Sequence, residues 1–409
     1  MKKNLNSKDF WINFARMSWE KKPLLVKDFA SPLREIGEDQ IFSMLVSFSN
    51  QCRKTNCADG IKFYASGQRL HEDEVLQLLP LKSDRNLKNY HKRMAEMFAD
   101  YCLVCDELLQ VSQPNREKLK SFNEKLFSHV GFPNRFVEIG LYLGNYRKTP
   151  FGVHVDGCGV FSFPIVGRKV FRLWAPEFGK KNPALDRSHE YAQFKKFSKT
   201  LTAQPGDMTY WPSTAWHIAE SSGSFSATWS LGVWVDLTHQ QKLETSLKPL
   251  LKTKFGSFGA QTTFEHSVTD ISGNLRQLPK IYLNSILTLK RLSANELHDA
   301  CMRSWIVLSS AGGFKTPPLI EKKRLLTFHS QLQIEDSDKI QWCRLKSEAK
   351  SLYAFRGTLA EGRLSPELLK LIKTLNLKKT CKVNEFLKGA AKKQDLQTLQ
   401  ILCDAGAFG

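Results

Sequence analysis

The spacing of apolar residues divides the chain into a mixed first part, a strand-rich middle and a largely helical end. Up to about residue 125, segments with helical spacing, such as GEDQIFSMLVSFSNQC, alternate with short extended ones. From about 135 to 236 the period becomes two, in short segments rich in β-branched and aromatic residues and separated by Gly and Pro. Closely spaced strands of this kind predict a sandwich or a jelly-roll barrel.

Beyond about residue 245 the helical spacing returns, and the segment GGFKTPP reads as a linker. The last part contains two extended stretches, IQWCRL and SLYAFRG, and a helix that starts with Ser365 as N-cap and Pro366 in its first turn. We therefore predict an α+β protein with four parts: an N-terminal support region (1–125), a barrel (126–240), a helical region (241–312) and a winged-helix-like C-terminal domain (313–409).

One charged segment interrupts the strand pattern. It reads EFGKKNPALDRSHEYAQFKKFSK and follows the strand-like stretch KVFRLW. Because charged connections run over protein surfaces, we predict that this insertion lies outside the barrel.

Composition and charge bound the function. A hydrophobic fraction of 42% with 24% charged residues is that of a globular protein rather than a disordered one. No run of apolar residues is long enough for a membrane helix and the start lacks a signal peptide, so we expect a cytoplasmic protein without a membrane partner. The net charge of +20 favours an acidic partner such as nucleic acid, the ribosome or an acidic protein. Charge alone does not choose among them.

The nine cysteines raise the question of a metal or disulfide framework. Their odd number and irregular spacing do not resemble disulfides of a secreted protein. Two pairs, Cys52 with Cys57 and Cys102 with Cys105, could supply four ligands to zinc. The segment DYCLVCDELL has no turn residues and no suitably spaced histidine, which favours buried, reduced thiols.

The segment TPFGVHVD contains the first candidate chemistry. If VHVD is a strand, His154 and Asp156 point to one face and can bind one divalent metal ion. The segment PGDMTYWPSTAWHIAES offers His217 at the start of another strand, between tryptophans. Two imidazoles and one carboxylate form the facial triad of non-haem Fe(II) oxygenases. The alternative is that His154 and Asp156 are an ordinary hydrogen-bonded pair.

The segment GRKVFRLW contains the second group of candidate functional residues. A period of two places Lys169, Phe171 and Leu173 on one face, and Arg168, Val170, Arg172 and Trp174 on the other. A lysine on the inner face requires an anionic partner, which a dicarboxylate co-substrate bound to the metal would supply. A register shifted by one residue would instead turn Arg168 inward.

Together these segments resemble the JmjC branch of the cupin superfamily, and most closely its bacterial ribosomal-oxygenase type. The resemblance is carried by TPFGVHVD, GRKVFRLW, PGDMTYWPSTAWHIAES and SATWSLGVW, and it covers roughly residues 8–240. It implies a double-stranded β-helix, the jelly-roll barrel of cupins, with Fe(II) as cofactor and 2-oxoglutarate and O₂ as co-substrates.

The resemblance also assigns roles to residues. It implies that His154, Asp156 and His217 bind the iron, and that Lys169 pairs with the distal carboxylate of 2-oxoglutarate. Thr149 and Tyr142 lie where relatives place further hydroxyls toward the co-substrate, and Ser230 lies where relatives carry a small polar residue near the iron.

The activity implied is a dioxygenase that hydroxylates an amino-acid side chain in a protein or peptide, with succinate and CO₂ as co-products. The expected substrate is ribosomal or acidic, and the helical region is expected to form a homodimer. Three alternatives stay open: a hydroxylase of a small molecule or biosynthetic peptide, a cupin enzyme that does not use 2-oxoglutarate, and a non-catalytic basic protein that binds nucleic acid.

Overall fold

The structure, a computed structural model, describes residues 8–256, 272–273, 278–320, 324–334, 338–377 and 379–408. The chain separates into two compact units. The first comprises Met1–Asp236 with Gly312–Leu319, and the second comprises Leu237–Ala311 with Ile320–Gly409. Within the described part, none of the helices has the length and hydrophobicity needed to cross a bilayer.

The first unit contains the strand-rich middle of the chain and the elements that precede it. Its helices are α1 (Lys8–Met17), α2 (Glu38–Thr55), α3 (Glu72–Leu78), α4 (Leu87–Met97), α5 (Gln113–Val130) and α6 (Pro176–Lys181). Its strands are β1 (Leu24–Val26), β2 (Ile61–Ala65), β3 (Gln68–Arg69), β4 (Tyr101–Asp106), β5 (Phe136–Gly144), β6 (Cys158–Val166), β7 (Lys169–Trp174), β8 (Lys199–Ala203), β9 (Met208–Trp211), β10 (Trp216–Ser221) and β11 (Ser226–Trp234).

An eight-stranded antiparallel sheet forms the frame of this unit. Its strand order is β1-β9-β6-β11-β5-β4-β2-β3. Strand β1 pairs with β9 at one edge, and β4 continues the sheet beyond β5. The N-terminal region therefore adds strands to the same sheet as the middle of the chain. A large apolar core that includes Trp11, Phe14 and Phe122 packs α1, α2 and α5 against this sheet.

A second sheet of three strands, in the order β10-β7-β8, completes the unit. Lys169, Phe171 and Leu173 of β7 are buried while Val170 and Arg172 are partly exposed, as the alternation predicted. Arg168 is exposed, so the register shifted by one residue is wrong. Trp174 was assigned to the outer face, yet it is only 2% exposed.

The charged insertion explains the burial of Trp174. A small apolar cluster joins this tryptophan to Leu185 and Tyr191 of the insertion and to Ile218 of β10. The indole Nε1 of Trp174 donates to the carbonyl of Phe194, 2.9 Å away. The insertion therefore covers the outer face of the small sheet with Leu185 and Tyr191, which are buried, while its charged residues face solvent.

One local interpretation of the sequence is wrong. VHVD is not a strand: His154 forms an isolated bridge with His217, Asp156 lies in a loop, and β6 begins only at Cys158. The segment containing Cys102 and Cys105 is the buried strand β4, in agreement with the favoured interpretation of buried thiols. All nine cysteines are free thiols.

The second unit combines helices with two small sheets. Its elements are α7 (His239–Phe255), α8 (Lys280–Lys290), α9 (Ala294–Ser310), β12 (Gln331–Leu332), β13 (Gln341–Arg344), β14 (Lys350–Phe355), β15 (Thr358–Arg363), α10 (Pro366–Asn376), β16 (Cys381–Lys382), α11 (Val383–Phe386) and α12 (Lys392–Asp404). Strands β13, β14 and β15 form an antiparallel sheet, and Ser365 caps α10 as predicted. The predicted class is confirmed at the level of mixed helix and sheet.

Candidate metal centre

Three side chains from separate parts of the first unit converge on one point. His154, Asp156 and His217 each offer a ligand atom, and these atoms lie within 4.8 Å of one another. The Oδ2 atom of Asp156 is 3.6 Å from Nε2 of His154 and 3.4 Å from Nε2 of His217. Among the described residues this is the only group of three or more His, Cys, Asp or Glu side chains with such spacing. The cysteine pairs therefore form no comparable cluster.

Backbone hydrogen bonds hold the two histidines together. The amide of His217 donates to the carbonyl of His154 at 2.8 Å, and the amide of His154 donates back at 3.0 Å. Gly152 begins this turn with a φ of +70°, and a Cβ atom there would lie 2.3 Å from the carbonyl oxygen of Arg187. Only glycine tolerates that approach, so Gly152 allows the turn before His154 to pack directly against the backbone of the charged insertion at Arg187.

Each ring is also oriented by the chain. Nδ1 of His154 lies 3.0 Å from the carbonyl oxygen of Gly152, and Nδ1 of His217 lies 3.1 Å from that of Ala215. When Nδ1 carries the proton and donates to a carbonyl, the lone pair of Nε2 is left for a metal ion. This network assigns the same tautomer to both rings.

The electrostatics favour the deprotonated forms that metal ligands need. Burial opposes ionisation of Asp156, but the neighbouring imidazoles of His154 and His217 hold the pKa of its carboxyl well below the usual range. Burial, and then repulsion from His154, lower the pKa of His217 below that of a free imidazole. A carboxylate and neutral imidazoles are the forms that bind divalent metals.

Lys169 is the most unusual charge in this unit. It is 2% exposed, and its ammonium donates a hydrogen bond to the phenol oxygen of Tyr146 and lies 4.0 Å from the centre of that ring. Within the described residues, no carboxylate forms an ion pair with it. Burial lowers the pKa of Lys169 to about 7. A cation in this state requires an anionic ligand to be stable.

The candidate ligands and Lys169 line one cavity between the two sheets. It holds about 460 Å³ of empty space, part of it open to solvent. All seven residues singled out in the sequence line it, namely His154, Asp156, His217, Lys169, Thr149, Tyr142 and Ser230. Thr149 is tied to β10, because its amide donates to the carbonyl of Ala219 at 2.9 Å.

The cavity also contains polar groups that the sequence reading missed. Ser162 Oγ, Thr228 Oγ1 and Trp211 Nε1 are buried and have no hydrogen-bond partner among the described residues. Thr228 could have been found, because it lies two residues before Ser230 on β11 and so shares its face. Tyr146 carried no signal, since it lies beyond the end of β5 in a loop.

A second cavity meets the candidate metal ligands from another side. It holds about 810 Å³ of empty space, and both His154 and Asp156 line it. Its other charged lining residues are Lys62, Asp106, Glu138 and Arg187. Lys62 and Asp106 form an ion pair of 2.7 Å, and burial raises the pKa of Asp106. His154 and Asp156 of the candidate metal centre thus line both a smaller cavity and a wider charged one.

These residues fit the groups that the resemblance implied. Two imidazole nitrogens and one carboxylate suit Fe(II) and leave coordination positions for other ligands. Lys169 and the hydroxyls of Ser162 and Thr228, which have no partner among the described residues, offer donors to an anion in the cavity of about 460 Å³.

Comparison with known proteins agrees with this geometry. Residues 110–241 match the family model of the JmjC domain. A structure of Escherichia coli YcfD is similar over 98% of this chain and 97% of that chain, with 14% identity and a TM-score of 0.53. A structure of the ribosomal oxygenase YcfD in complex with cobalt and 2-oxoglutarate matches with the same coverage, 13% identity and a TM-score of 0.52. No curated protein matches the sequence.

At these identities the likeness to YcfD concerns the fold. The family match covers the helix α5, both sheets from β5 onward and all seven candidate residues. The resemblance drawn from the motifs is therefore confirmed: residues 110–241, which contain those motifs, match the JmjC domain model.

Proposed function

We propose that this chain is an Fe(II)- and 2-oxoglutarate-dependent oxygenase that hydroxylates an amino-acid side chain in a protein or peptide. The observation that carries the proposal is the pairing, in one cavity, of a His-Asp-His cluster with a buried lysine that has no acidic partner among the described residues. The first can hold a metal ion, and the second can hold a dicarboxylate beside it.

His154, Asp156 and His217 would hold the iron through Nε2, Oδ2 and Nε2 respectively. When bound, iron with 2-oxoglutarate and O₂ supplies an oxidant for a substrate C–H bond, with succinate and CO₂ as co-products. The chain's contribution is to fix the donors. The carbonyls of Gly152 and Ala215 keep both protons on Nδ1, so that no imidazole must turn or lose a proton when the ion arrives.

Lys169 would bind the distal carboxylate of 2-oxoglutarate. Tyr146 holds its ammonium in place, and the hydroxyls of Ser162 and Thr228 are available to donate to the same anion. Thr149 and Tyr142 would contribute further hydroxyls, and Ser230 would lie at the boundary with the second cavity, because it lines both. Because these groups are buried, the chain excludes water from this end of the co-substrate.

The wider cavity supports a polar substrate side chain rather than an apolar metabolite. This cavity reaches His154 and Asp156, and its other charged lining residues are two acids and two bases: Asp106, Glu138, Lys62 and Arg187. Similar structures are of a ribosomal oxygenase, and the net charge of +20 suits a partner within an acidic assembly. A ribosomal protein is therefore the substrate class we test first.

We also propose the finer features of the fold. The two sheets of the first unit correspond to a double-stranded β-helix, residues 126–240 to the barrel and residues 1–125 to its support. The helical region 241–312 would form a homodimer, and 313–409 would be a winged-helix-like domain. A cytoplasmic location suits the proposed substrate.

The test is turnover with defined substrates. Purified chain, Fe(II) and 2-oxoglutarate are incubated with ribosomal proteins of the host, with short peptides from them, or with neither, and succinate and peptide masses are measured. We expect succinate that depends on the protein substrate and a mass increase of about 16 Da, one oxygen atom, on one residue. Equal succinate with and without substrate, together with no mass shift, would refute the proposal.

The alternatives give different results in the same experiment. A small-molecule or biosynthetic-peptide hydroxylase would ignore ribosomal proteins and turn over with low-mass extracts. A cupin enzyme that does not use 2-oxoglutarate would keep its activity when Lys169 is replaced. A non-catalytic nucleic-acid-binding protein would show no substrate-dependent succinate at all.

A further inference from the structure

The second unit carries a surface cluster of lysines with almost no acidic counterpart. Between residues 378 and 393 the sequence has six lysines and one acidic residue, Glu385. The five described lysines are all exposed, and none forms an ion pair with a described residue. We call them the lysine patch: Lys379, Lys382, Lys388, Lys392 and Lys393.

These lysines lie on or beside β16, α11 and the start of α12. Lys382 ends β16, which pairs with β12, and α11 follows directly. Lys388 lies in the short loop between α11 and α12, and Lys392 and Lys393 begin α12. The amide of Lys392 donates to the carbonyl of Gly389 at 3.2 Å, which closes this loop onto the helix start.

Some other cations of the same unit are neutralised by acids. Arg303 binds Glu348 and Glu361, each at 3.0 Å. Lys350 lies 2.7 Å from Glu348, and Arg356 lies 2.8 Å from Asp338. The lysine patch differs from these sites in having five exposed cations and one nearby exposed acid in a short stretch of chain.

The position of two lysines is unfavourable for the isolated chain. Lys392 and Lys393 occupy the first turn of α12, where the helix dipole is positive, and no side chain caps that end. The acid of the same turn, Asp395, is buried and accepts a hydrogen bond from Ser365, so it does not pair with these lysines. An anion that accepts hydrogen bonds from the exposed ammonium groups would offset the unfavourable position of the two lysines.

An aromatic ring lies beside the cations. The ammonium of Lys392 is 5.3 Å from the ring centre of Phe328, which is partly exposed. The segment that carries Phe328 is fixed to α11, because the amide of Asn384 donates to the carbonyl of Phe328 at 3.0 Å. Phe328 also packs against the hydrophobic core of this unit, so it holds Lys392 at a defined place on the surface.

We propose that the lysine patch binds the phosphate backbone of a nucleic acid. Several lysines without acids among them match a polymer with one negative charge per nucleotide better than they match a single small anion. Acidic protein segments and anionic membranes offer less regular or more diffuse charge. This site is separate from the proposed oxygenase function and does not depend on it.

The test compares two variants of the full chain with equal charge loss. The patch variant is Lys388→Gln/Lys392→Gln/Lys393→Gln, and the control is Arg344→Gln/Lys346→Gln/Lys350→Gln on the β13–β14 hairpin. Binding of fluorescein-labelled polyuridylate and of labelled duplex DNA is followed by fluorescence anisotropy over a series of salt concentrations. Vesicles of phosphatidylserine are a third arm, and circular dichroism checks folding.

We expect the patch variant to bind at least about tenfold more weakly, with the slope of log affinity against log salt reduced by about 2, since each lost phosphate contact removes nearly one unit. The control should keep the affinity and slope of the original chain. The difference between RNA and DNA identifies the nucleic acid. Equal losses in both variants, unchanged binding by the patch variant, or binding to vesicles alone would overturn the proposal.

Discussion

Two buried charges, one in each unit, are treated in opposite ways by the chain. Asp299 of the second unit is 0% exposed and Lys169 of the first is 2% exposed. Asp299 accepts hydrogen bonds from the amides of Lys346 and Ser347, from the Ser347 hydroxyl and from His298. Lys169 donates to one phenol and has no acidic partner among the described residues. Asp299 is satisfied by its own chain, as expected of a structural charge, whereas the state of Lys169 is the one expected if it binds an anionic ligand, as proposed.

The pKa shifts express the same difference. Burial opposes ionisation of Asp299, but the amides of Lys346 and Ser347 hold the pKa of its carboxyl below the usual range. At Lys169, burial meets no such compensation and lowers the pKa to about 7. A perturbed group in a cavity beside a potential metal centre is typical of a functional site.

The largest expected effect is the loss of metal binding when one candidate ligand of the cavity that contains Lys169 is removed. For His217→Ala we expect metal affinity to fall at least a hundredfold, since even outer partners of metal ligands contribute tenfold to a hundredfold. Binding of Co²⁺ by calorimetry and succinate release measure the effect. His189→Ala, an exposed histidine, is the control and should change neither. Undiminished metal binding by His217→Ala would remove the metal centre from this cavity.

Replacing Lys169 should separate ligand binding from stability. Lys169→Met keeps the volume but removes the charge, so we expect 2-oxoglutarate to bind about a hundredfold more weakly, the cost of breaking a buried charge pair. The free energy of unfolding should stay the same or rise, because no uncompensated cation remains buried. Calorimetry and urea denaturation measure the two quantities.

Arg168→Met is the matched control, since Arg168 is the exposed neighbour. It should leave both quantities unchanged. A Lys169→Met variant that loses several kcal/mol of stability and binds 2-oxoglutarate normally would make Lys169 a structural residue like Asp299.

Replacing Asp299 should lower stability and leave 2-oxoglutarate binding unchanged, the opposite of what we expect for Lys169. Asp299→Ala leaves the amides of Lys346 and Ser347 without their acceptor, so we expect the free energy of unfolding to fall by about 2–4 kcal/mol. Affinity for 2-oxoglutarate should be unchanged. Asp299→Asn, which retains part of the acceptor capacity, should lose less. Equal stability of all three proteins would contradict the structural role assigned to this carboxylate.

The smallest expected effect is a dependence on pH. Above its pKa of about 7 the free cavity holds a neutral Lys169, so a proton must be taken up when the dicarboxylate binds. We expect affinity for 2-oxoglutarate to weaken by up to about tenfold between pH 7 and 8. The unliganded protein should become more stable over the same range, because the unfolded lysine still binds a proton that the folded one has lost.

Lys169→Met again serves as the control, since it lacks the titrating group. Its residual affinity for 2-oxoglutarate and its stability should not follow this profile. An identical pH dependence in both proteins would assign the titration to another group.

The periodicity of the sequence predicted the strands of the site but not what covers them. It placed Lys169 inward on β7 because alternation depends only on local geometry. It assigned Trp174 to the outer face without showing that the charged insertion buries it, because that contact joins residues distant in the chain. For the same reason it did not show that β4 continues the sheet of β5.

The candidate metal ligands were found for a reason that was only partly physical. The predicted strand geometry of His154 and Asp156 is absent, and a backbone bridge between His154 and His217 is present instead. The motif spacing still selected three residues whose side chains cluster, although the local structure was misjudged. Tyr146 was missed because its contact with Lys169 depends on a loop conformation that no period encodes.

The continuity of the large sheet has a practical consequence for anyone who trims this protein. A fragment beginning near residue 126 would lose β4, the neighbour of β5, and β1, the neighbour of β9. The edge strands of the remaining sheet would then expose unpaired backbone amides and carbonyls, which promote aggregation through edge-to-edge pairing. Residues 126–240 should therefore not be expressed alone. Shortened versions for crystallisation or engineering should retain the N-terminal residues that include β1 and β4.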